Sequence, residues 1–356
     1  MASSPFAQPK IRQMRTLVVS DLHLGSCVAR DVLRRQSALD GLLGAVRDVD
    51  RLVLLGDVVE LIEGRRGWAM RVAEPVIRAI GNAVGRGREV IIVPGNHDHA
   101  LVRQWIRGQA RGGRRVAPAT RVPAHASAQL AQLAVWLKPA RVSVRYPGVW
   151  LAEGIYATHG HYADRHLVPA SWGARLGGPF TPIPERRARV EDYERTAGPY
   201  LASISSALAL TLPGALGEAI DTASGLVRRL AMPVEDGMGQ PLAPVLGNVL
   251  DRRFRGAVLP AMAEVVARLC VRATDVIFGH LHRSGPWPED ERGEWTIGGL
   301  RLHNAGSWVF EPLLLSDAHA THPYWPGGAV LVEGRRIRTL RLLGHLQQEP
   351  LLGRAA

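Results

Sequence analysis

Cysteine and lysine are nearly absent from this 356-residue chain: two cysteines, Cys27 and Cys270, and two lysines, Lys10 and Lys138. Neither cysteine has C-x-x-C spacing, and both read as small packed residues rather than metal ligands or a disulfide. That points to a reducing, cytoplasmic compartment. Residues 1–16 contain no apolar h-region, which argues against a secretory signal. No clean run of 18 apolar residues occurs. The nearest, residues 196–217, is uncharged but broken at Gly198-Pro199 and Pro213-Gly214, which argues against a simple transmembrane helix. No internal repeat or low-complexity tract is evident. No Ser or Cys sits in a nucleophile motif, and no aromatic-basic nucleic-acid motif stands out.

What is present is arginine. The chain carries 44 basic against 32 acidic residues, a formal net charge of +12. Such a charge attracts anionic substrates or nucleic acid. The doublets Arg65-Arg66, Arg114-Arg115, Arg186-Arg187, Arg228-Arg229 and Arg252-Arg253 are scattered. They read as solvated surface arginine or as an anion-collecting rim. A hydrophobic content of 46% fits an ordered globular protein able to bury a sizeable core.

The first half alternates two periodicities. Apolar runs of strand length occur at 16–20, 52–55 and 90–93. Between them lie amphipathic helical patterns at 29–46 and 68–84, and a third begins after Asn96-His97-Asp98. This β-α-β-α-β rhythm implies a parallel sheet. Residues 107–128 read as a loop, and 142–146 with 149–152 as a hairpin around Pro147-Gly148. Further strands are expected at 155–158 and 276–278. Between them the pattern turns helical, at 200–212, 216–230 and 258–269, as an insertion folded over or beside the crevice. Strands at 300–304, 328–332 and 337–342 are expected in a second sheet.

Five short segments end such runs: Asp21-Leu22-His23, Gly56-Asp57, Gly95-Asn96-His97-Asp98, His159-Gly160-His161 and Gly279-His280-Leu281-His282. Strand ends followed by glycine turns are where an open α/β sheet presents ligands to a crevice. Taken alone, Asp21 or Asn96 reads equally as a helix-capping turn residue. Together the segments offer seven oxygen and nitrogen donors, more than one four-coordinate ion needs, and enough for two divalent ions sharing a carboxylate.

The ordered set resembles the signature of the calcineurin-like metallophosphoesterase superfamily (D-x-H, G-D, G-N-H-D, a middle H, G-H-x-H). The resemblance covers roughly residues 17–308. It implies a two-sheet α/β sandwich flanked by helices. The domain would comprise 15–161 and 274–345, with a helical insertion or lid at 162–273 and tails at 1–14 and 346–356. It also implies that Asp57 bridges two ions. Asp21, His23 and His282 would complete one sphere, and Asn96, His159 and His280 the other. Carboxylate, imidazole and amide donors suit Mn²⁺, with Fe or Zn²⁺ as alternatives, better than Ca²⁺. His97 would lie near the scissile phosphate as an acid or charge stabiliser, with Asp98 orienting it. His161 reads as facing the substrate or backing the ligands, or as a surface histidine. Arg283 is a phosphate contact or a solvated arginine. Residues 304–308 are expected to pack behind the site.

The reaction so implied is hydrolysis of a phosphodiester or pyrophosphate by a hydroxide bridging two metals, without a phospho-enzyme. The helical insertion resembles that of the UDP-2,3-diacylglucosamine pyrophosphohydrolases. The chain differs from them at His97, where they carry Arg, and at His161, where they carry Asp. A substrate with an apolar part and peripheral membrane contact fit this branch. A nuclease of the same superfamily and a non-catalytic scaffold are the other readings.

Overall fold

A computed structural model describes residues 13–27, 29–167, 183–195, 254–315 and 318–352. The strands in chain order are β1 (Arg15–Val19), β2 (Arg51–Leu55), β3 (Glu89–Val93), β4 (Ala119–Val122), β5 (Arg141–Ala152) and β6 (Ile155–Thr158). They continue as β7 (Asp275–Phe278), β8 (Ser284–Gly285), β9 (Thr296–Ile297), β10 (Leu300–Ala305), β11 (Gly328–Glu333) and β12 (Arg336–Arg341). In β1, β2 and β3 the last four residues are all buried. Burial on both faces is what parallel strands between two covering layers require.

β1, β2, β3 and β5 pair in parallel, with β1 flanked on its other side by antiparallel β11 and then β12. β6, β7 and β10 form the second half, also parallel, edged by β8 and β9. β5 belongs to both halves: residues 141–144 pair with β3, and 148–152 run antiparallel to β6. The halves face each other. Val18, Val53 and Ile91 from one share a buried cluster with Val149, Ile155 and Ile277 from the other. The alternate residues of the same strands, such as Leu17, Leu52 and Val90, turn outward into a larger core with the helices, as the period of two demands. The two-sheet sandwich expected from the sequence is the architecture found.

α1 (Gln36–Arg47) and α2 (Arg66–Val84) link the first strands. They bury Ala38, Leu42 and Val46, and Ala69, Ala73, Ile77 and Ile80, at helical spacing. The stretch expected as one helix at 29–46 opens instead with a 3₁₀ turn at Val32–Arg34. Residues 107–128 are more structured than a loop. α3 (Arg103–Arg111) runs into them, β4 pairs with β5, and Ser127 caps α4 (Ala128–Trp136) by accepting from Leu130 N–H at 3.2 Å.

The hairpin expected at Pro147-Gly148 is absent. β5 runs straight through, and the turn falls at Glu153-Gly154. Proline lacks a ladder donor, and Pro147 sits where β5 changes partner from β3 to β6. β11 and β12 extend the first half rather than the second. Both cysteines are exposed and free, not packed. Within 162–273, α5 (Asp164–Leu167), α6 (Val190–Glu194) and α7 (Leu259–Arg268) are seen. The helices expected at 200–212 and 216–230 lie outside the described residues. Among described residues no helix is long and apolar enough to cross a membrane.

Candidate metal centre

Asp21, Asp57, Asn96, His159 and His280 follow β1, β2, β3, β6 and β7 within one to three residues, so the sheet order brings them to one crevice. The turns are tight. Of eight non-glycine residues with left-handed φ among those described, five are Asp21, His23, Asp57, His280 and His282. Each such residue costs on the order of 1–3 kcal/mol, and strain of this kind concentrates at functional sites. The glycines preceding the ligands have a steric reason. A Cβ on Gly56 would fall 2.7 Å from His159 Cβ, and one on Gly279 would fall 2.5 Å from Asp21 Oδ2.

Each carboxylate is split between backbone and crevice. Asp21 Oδ2 accepts from His280 N–H at 2.9 Å. Its Oδ1 lies 3.8 Å from His23 Nε2 and 3.4 Å from His282 Nε2. Asp57 Oδ1 accepts from His97 N–H at 2.8 Å. Its Oδ2 stands between the two ligand groups, 3.1 Å from His159 Nε2 and 3.7 Å from His23 Nε2. Asn96 Oδ1 lies 3.0 Å from His159 Nε2. Asp21, His23 and His282 thus form one buried set of converging ligand atoms, and Asp57, His159 and His280 another. All seven predicted donors are brought together.

The residues fit cations. Asp21 Oδ1 and His23 Nε2 are buried with no hydrogen-bond partner, although buried polar atoms are otherwise almost always satisfied. Their tautomers suit the role too. His159 Nδ1 faces Leu55 O at 2.9 Å, and His23 Nδ1 faces Glu60 Oε2 at 3.0 Å. A carbonyl and a carboxylate only accept, so Nδ1 carries a proton in each ring, and Nε2 is the nitrogen that an ion would take, displacing any proton held there.

The expected Asp98–His97 pairing is not formed. Asp98 instead accepts from Gly95 N–H at 2.7 Å and Val58 N–H at 2.8 Å, tying two turns together, and makes no helix cap. His97 Nδ1 donates to Glu60 Oε2 at 2.6 Å. Glu60 Oε1 accepts from Ile62 and Glu63 N–H, both at 2.9 Å, so this carboxylate is fully used. Sequence reasoning missed Glu60. Its signal was a single carboxylate inside the apolar run Val58-Val59-Glu60-Leu61-Ile62, three residues after Asp57.

His161 is buried, not on the surface, with its ring 5.5 Å from that of His159. Arg283 is no free phosphate contact: it is buried, forks onto Asp290 at 2.6 and 3.2 Å, and stacks over Trp295. Residues 304–308 do pack behind the site. Asn304 Nδ2 donates to Gly279 O at 3.0 Å, and Trp308 N–H to Asp21 O at 2.9 Å. His99, unassigned from sequence, pairs with Glu194 Oε2 at 2.8 Å.

Burial pushes the Asp21 and Asp57 carboxyls up, but His159 and the neighbouring imidazoles outweigh it and hold both below the usual range. Burial disfavours protonation of His159, yet Asp57 and Asp21 raise it to about 9. Burial disfavours protonation of His97 as well, but Asp57 and the Glu60 carboxylate together outweigh it and hold His97 up. Burial and the adjacent Asp57 charge raise Asp98 to about 6. The carboxylates demand positive charge, supplied here by imidazolium protons that a divalent ion would displace.

No curated protein matches the sequence. Among solved structures, a cold-active protein-tyrosine phosphatase of a psychrophile, Shewanella sp., aligns at 13% identity over 92% of this chain and 77% of its own, with a TM-score of 0.30. A mutant of a cold-active protein tyrosine phosphatase gives the same figures. A TM-score of 0.30 bears on neither fold nor chemistry. The family model for calcineurin-like phosphoesterases matches residues 14–175. That span holds Asp21, His23, Asp57, Asn96 and His159, and His280 and His282 close on the same buried clusters from beyond it. The sandwich, the crevice at its strand ends and the matched span agree: residues 14–175 carry a calcineurin-like phosphoesterase match, and the last two ligand candidates close on it from beyond that span.

Proposed function

We propose that this chain hydrolyses a phosphodiester or pyrophosphate bond with the help of two divalent ions, Mn²⁺ in the first place. The observation that carries this reading is Asp57 Oδ2, set 3.1 Å from His159 Nε2 and 3.7 Å from His23 Nε2, between two ligand sets. Asp21, His23 and His282 would hold one ion, and Asn96, His159 and His280 the other, with Asp57 shared. When bound, two such ions supply an activated water and positive charge for the phosphate oxygens.

The chain's own residues do the rest. Glu60 holds Nδ1 of His97, so Nε2 is the ring atom left to meet the substrate. It gives a proton to the leaving oxygen or a hydrogen bond to the phosphate. Asp98 supports the turn that carries Asn96 and His97, through Gly95 and Val58.

The substrate is read as an ester with an apolar portion. Ile62 and Trp68 are 41% and 47% exposed, bracket the exposed Arg65 and Arg66, and begin two residues from Glu60. Such a rim suits an anion joined to a hydrocarbon. Residues 162–273 are read as a lid on a phosphoesterase domain of 15–161 and 274–345. The test is a profile of Mn²⁺-loaded protein against bis-p-nitrophenyl phosphate, p-nitrophenyl phosphate, nucleotide diphosphates with acyl chains of rising length, and single-stranded DNA. Each buried CH₂ contributes roughly 0.8 kcal/mol, so kcat/KM should climb with chain length. A flat series with DNA cleavage would transfer the assignment to a nuclease, and no turnover at all would favour a scaffold.

A further inference from the structure

His280 is gripped at both ends. Its backbone is left-handed, at φ 73°, and its N–H donates to Asp21 Oδ2. Its ring Nε2 lies 3.0 and 2.9 Å from the two oxygens of Asp164. Both residues are buried, at 5% and 7% exposure. Asp164 opens α5, immediately after the 3₁₀ turn His161–Ala163, so the turn leaving β6 brings its carboxylate to the turn that follows β7. An ionised carboxylate only accepts. The contact therefore places the ring proton of His280 on Nε2 and leaves Nδ1 as the nitrogen with a lone pair for the ligand set it forms with Asp57 and His159.

We infer that Asp164 is a positioning residue of the second ion site, fixing the tautomer and ring angle of His280. The inference rests on the two-ion reading above. It makes the arrangement even-handed. In one set His23 has Glu60 behind it, and in the other His280 has Asp164. A carboxylate behind a ligating imidazole raises its basicity, and losing it typically weakens metal affinity 10–100-fold.

The experiment uses the full chain, freed of metal with chelator and labelled with ¹⁵N-histidine. Long-range ¹H–¹⁵N spectra read the His280 tautomer without any ion, and Zn²⁺ calorimetry reads the ion sites. Wild type should show His280 protonated on Nε2 and two Zn²⁺ steps. Asp164→Ala should mix the tautomers and weaken one step about 10–100-fold, leaving the other within about twofold. Asp164→Asn, nearly isosteric, keeps an acceptor without charge and should fall between; it carries the test if the alanine variant does not fold. Glu194→Gln removes another buried acid of the same segment, bonded to Tyr146, Tyr162 and His99 rather than to His280. It should leave the His280 spectrum and both steps intact. A wild-type His280 protonated on Nδ1, or folded Asp164 variants with unchanged Zn²⁺ steps, would overturn the inference. A wild type without two Zn²⁺ steps would instead overturn the two-ion reading, and the metal-free spectrum would still decide the role of Asp164.

Discussion

His97 donates its Nδ1–H to Glu60 Oε2 at 2.6 Å, and the same oxygen faces His23 Nδ1 at 3.0 Å. One buried carboxylate thus sets the working nitrogen of both an expected ion ligand and the expected leaving-group acid. Glu60→Gln presents an amide in place of one acceptor and should do two things at once. It should weaken the ion held by His23 about 10–100-fold. It should also lower kcat even at saturating metal, by on the order of 10². A metal titration beside saturating-metal kinetics separates the two. Loss of only one would mean the carboxylate serves a single ring.

His97→Ala should keep both ions and lose about 10²–10⁴ in kcat, the scale for a positioned acid or base. The loss should shrink for esters with good leaving groups if Nε2 delivers the proton. Metal content falling in step with activity would make His97 a ligand instead.

Asp57 Oδ2 lies between the two ligand sets, whereas Asn96 reaches only His159. Asp57→Ala should therefore release both ions and Asn96→Ala mainly loosen one. Metal analysis after gel filtration in trace Mn²⁺ distinguishes them.

His159 is raised to about 9 in the metal-free fold, above the ordinary value of about 6.5 for an unfolded chain. Its proton stabilises the folded state fully below about pH 6.5, and that contribution fades as pH rises through about 9. Chelator-treated protein should accordingly lose thermal stability from pH 6.5 toward 9. Zn²⁺ must displace the proton, so its apparent affinity should rise over the same interval, by up to tenfold per pH unit for one proton released. Melting curves and proton release on Zn²⁺ addition test both signs.

Arg283 forks onto Asp290 in a buried pair and stacks on Trp295. Arg283→Ala leaves Asp290 without its partner and should cost about 3–5 kcal/mol of stability. The KM for a phosphate ester should hardly move. A KM effect without a change in denaturation midpoint would restore the phosphate-contact reading.

Most strands and the ligand set were legible in the chain alone, because each depends on local chemistry. Val18, Leu52 and Ile277 sit in runs whose hydrophobicity forces burial, and Asp21, Asp57 and His280 follow them in left-handed turns that few residue types tolerate. What the linear chain did not carry was which element meets which. β11 crosses back to pair with β1 across more than three hundred residues, and no local pattern encodes that partner. Pro147 reads locally as a turn, yet it lies mid-strand because the strand changes sheets there. Asp98 is adjacent to His97, but its carboxylate goes to Gly95 and Val58, and the partner of His97 comes from Glu60 on another strand end. Residue types and their order determined the chemistry available to this protein. Which carboxylate stands behind which imidazole was decided only by long-range packing, since a hydrogen bond is set by distance and angle in space rather than by separation along the chain.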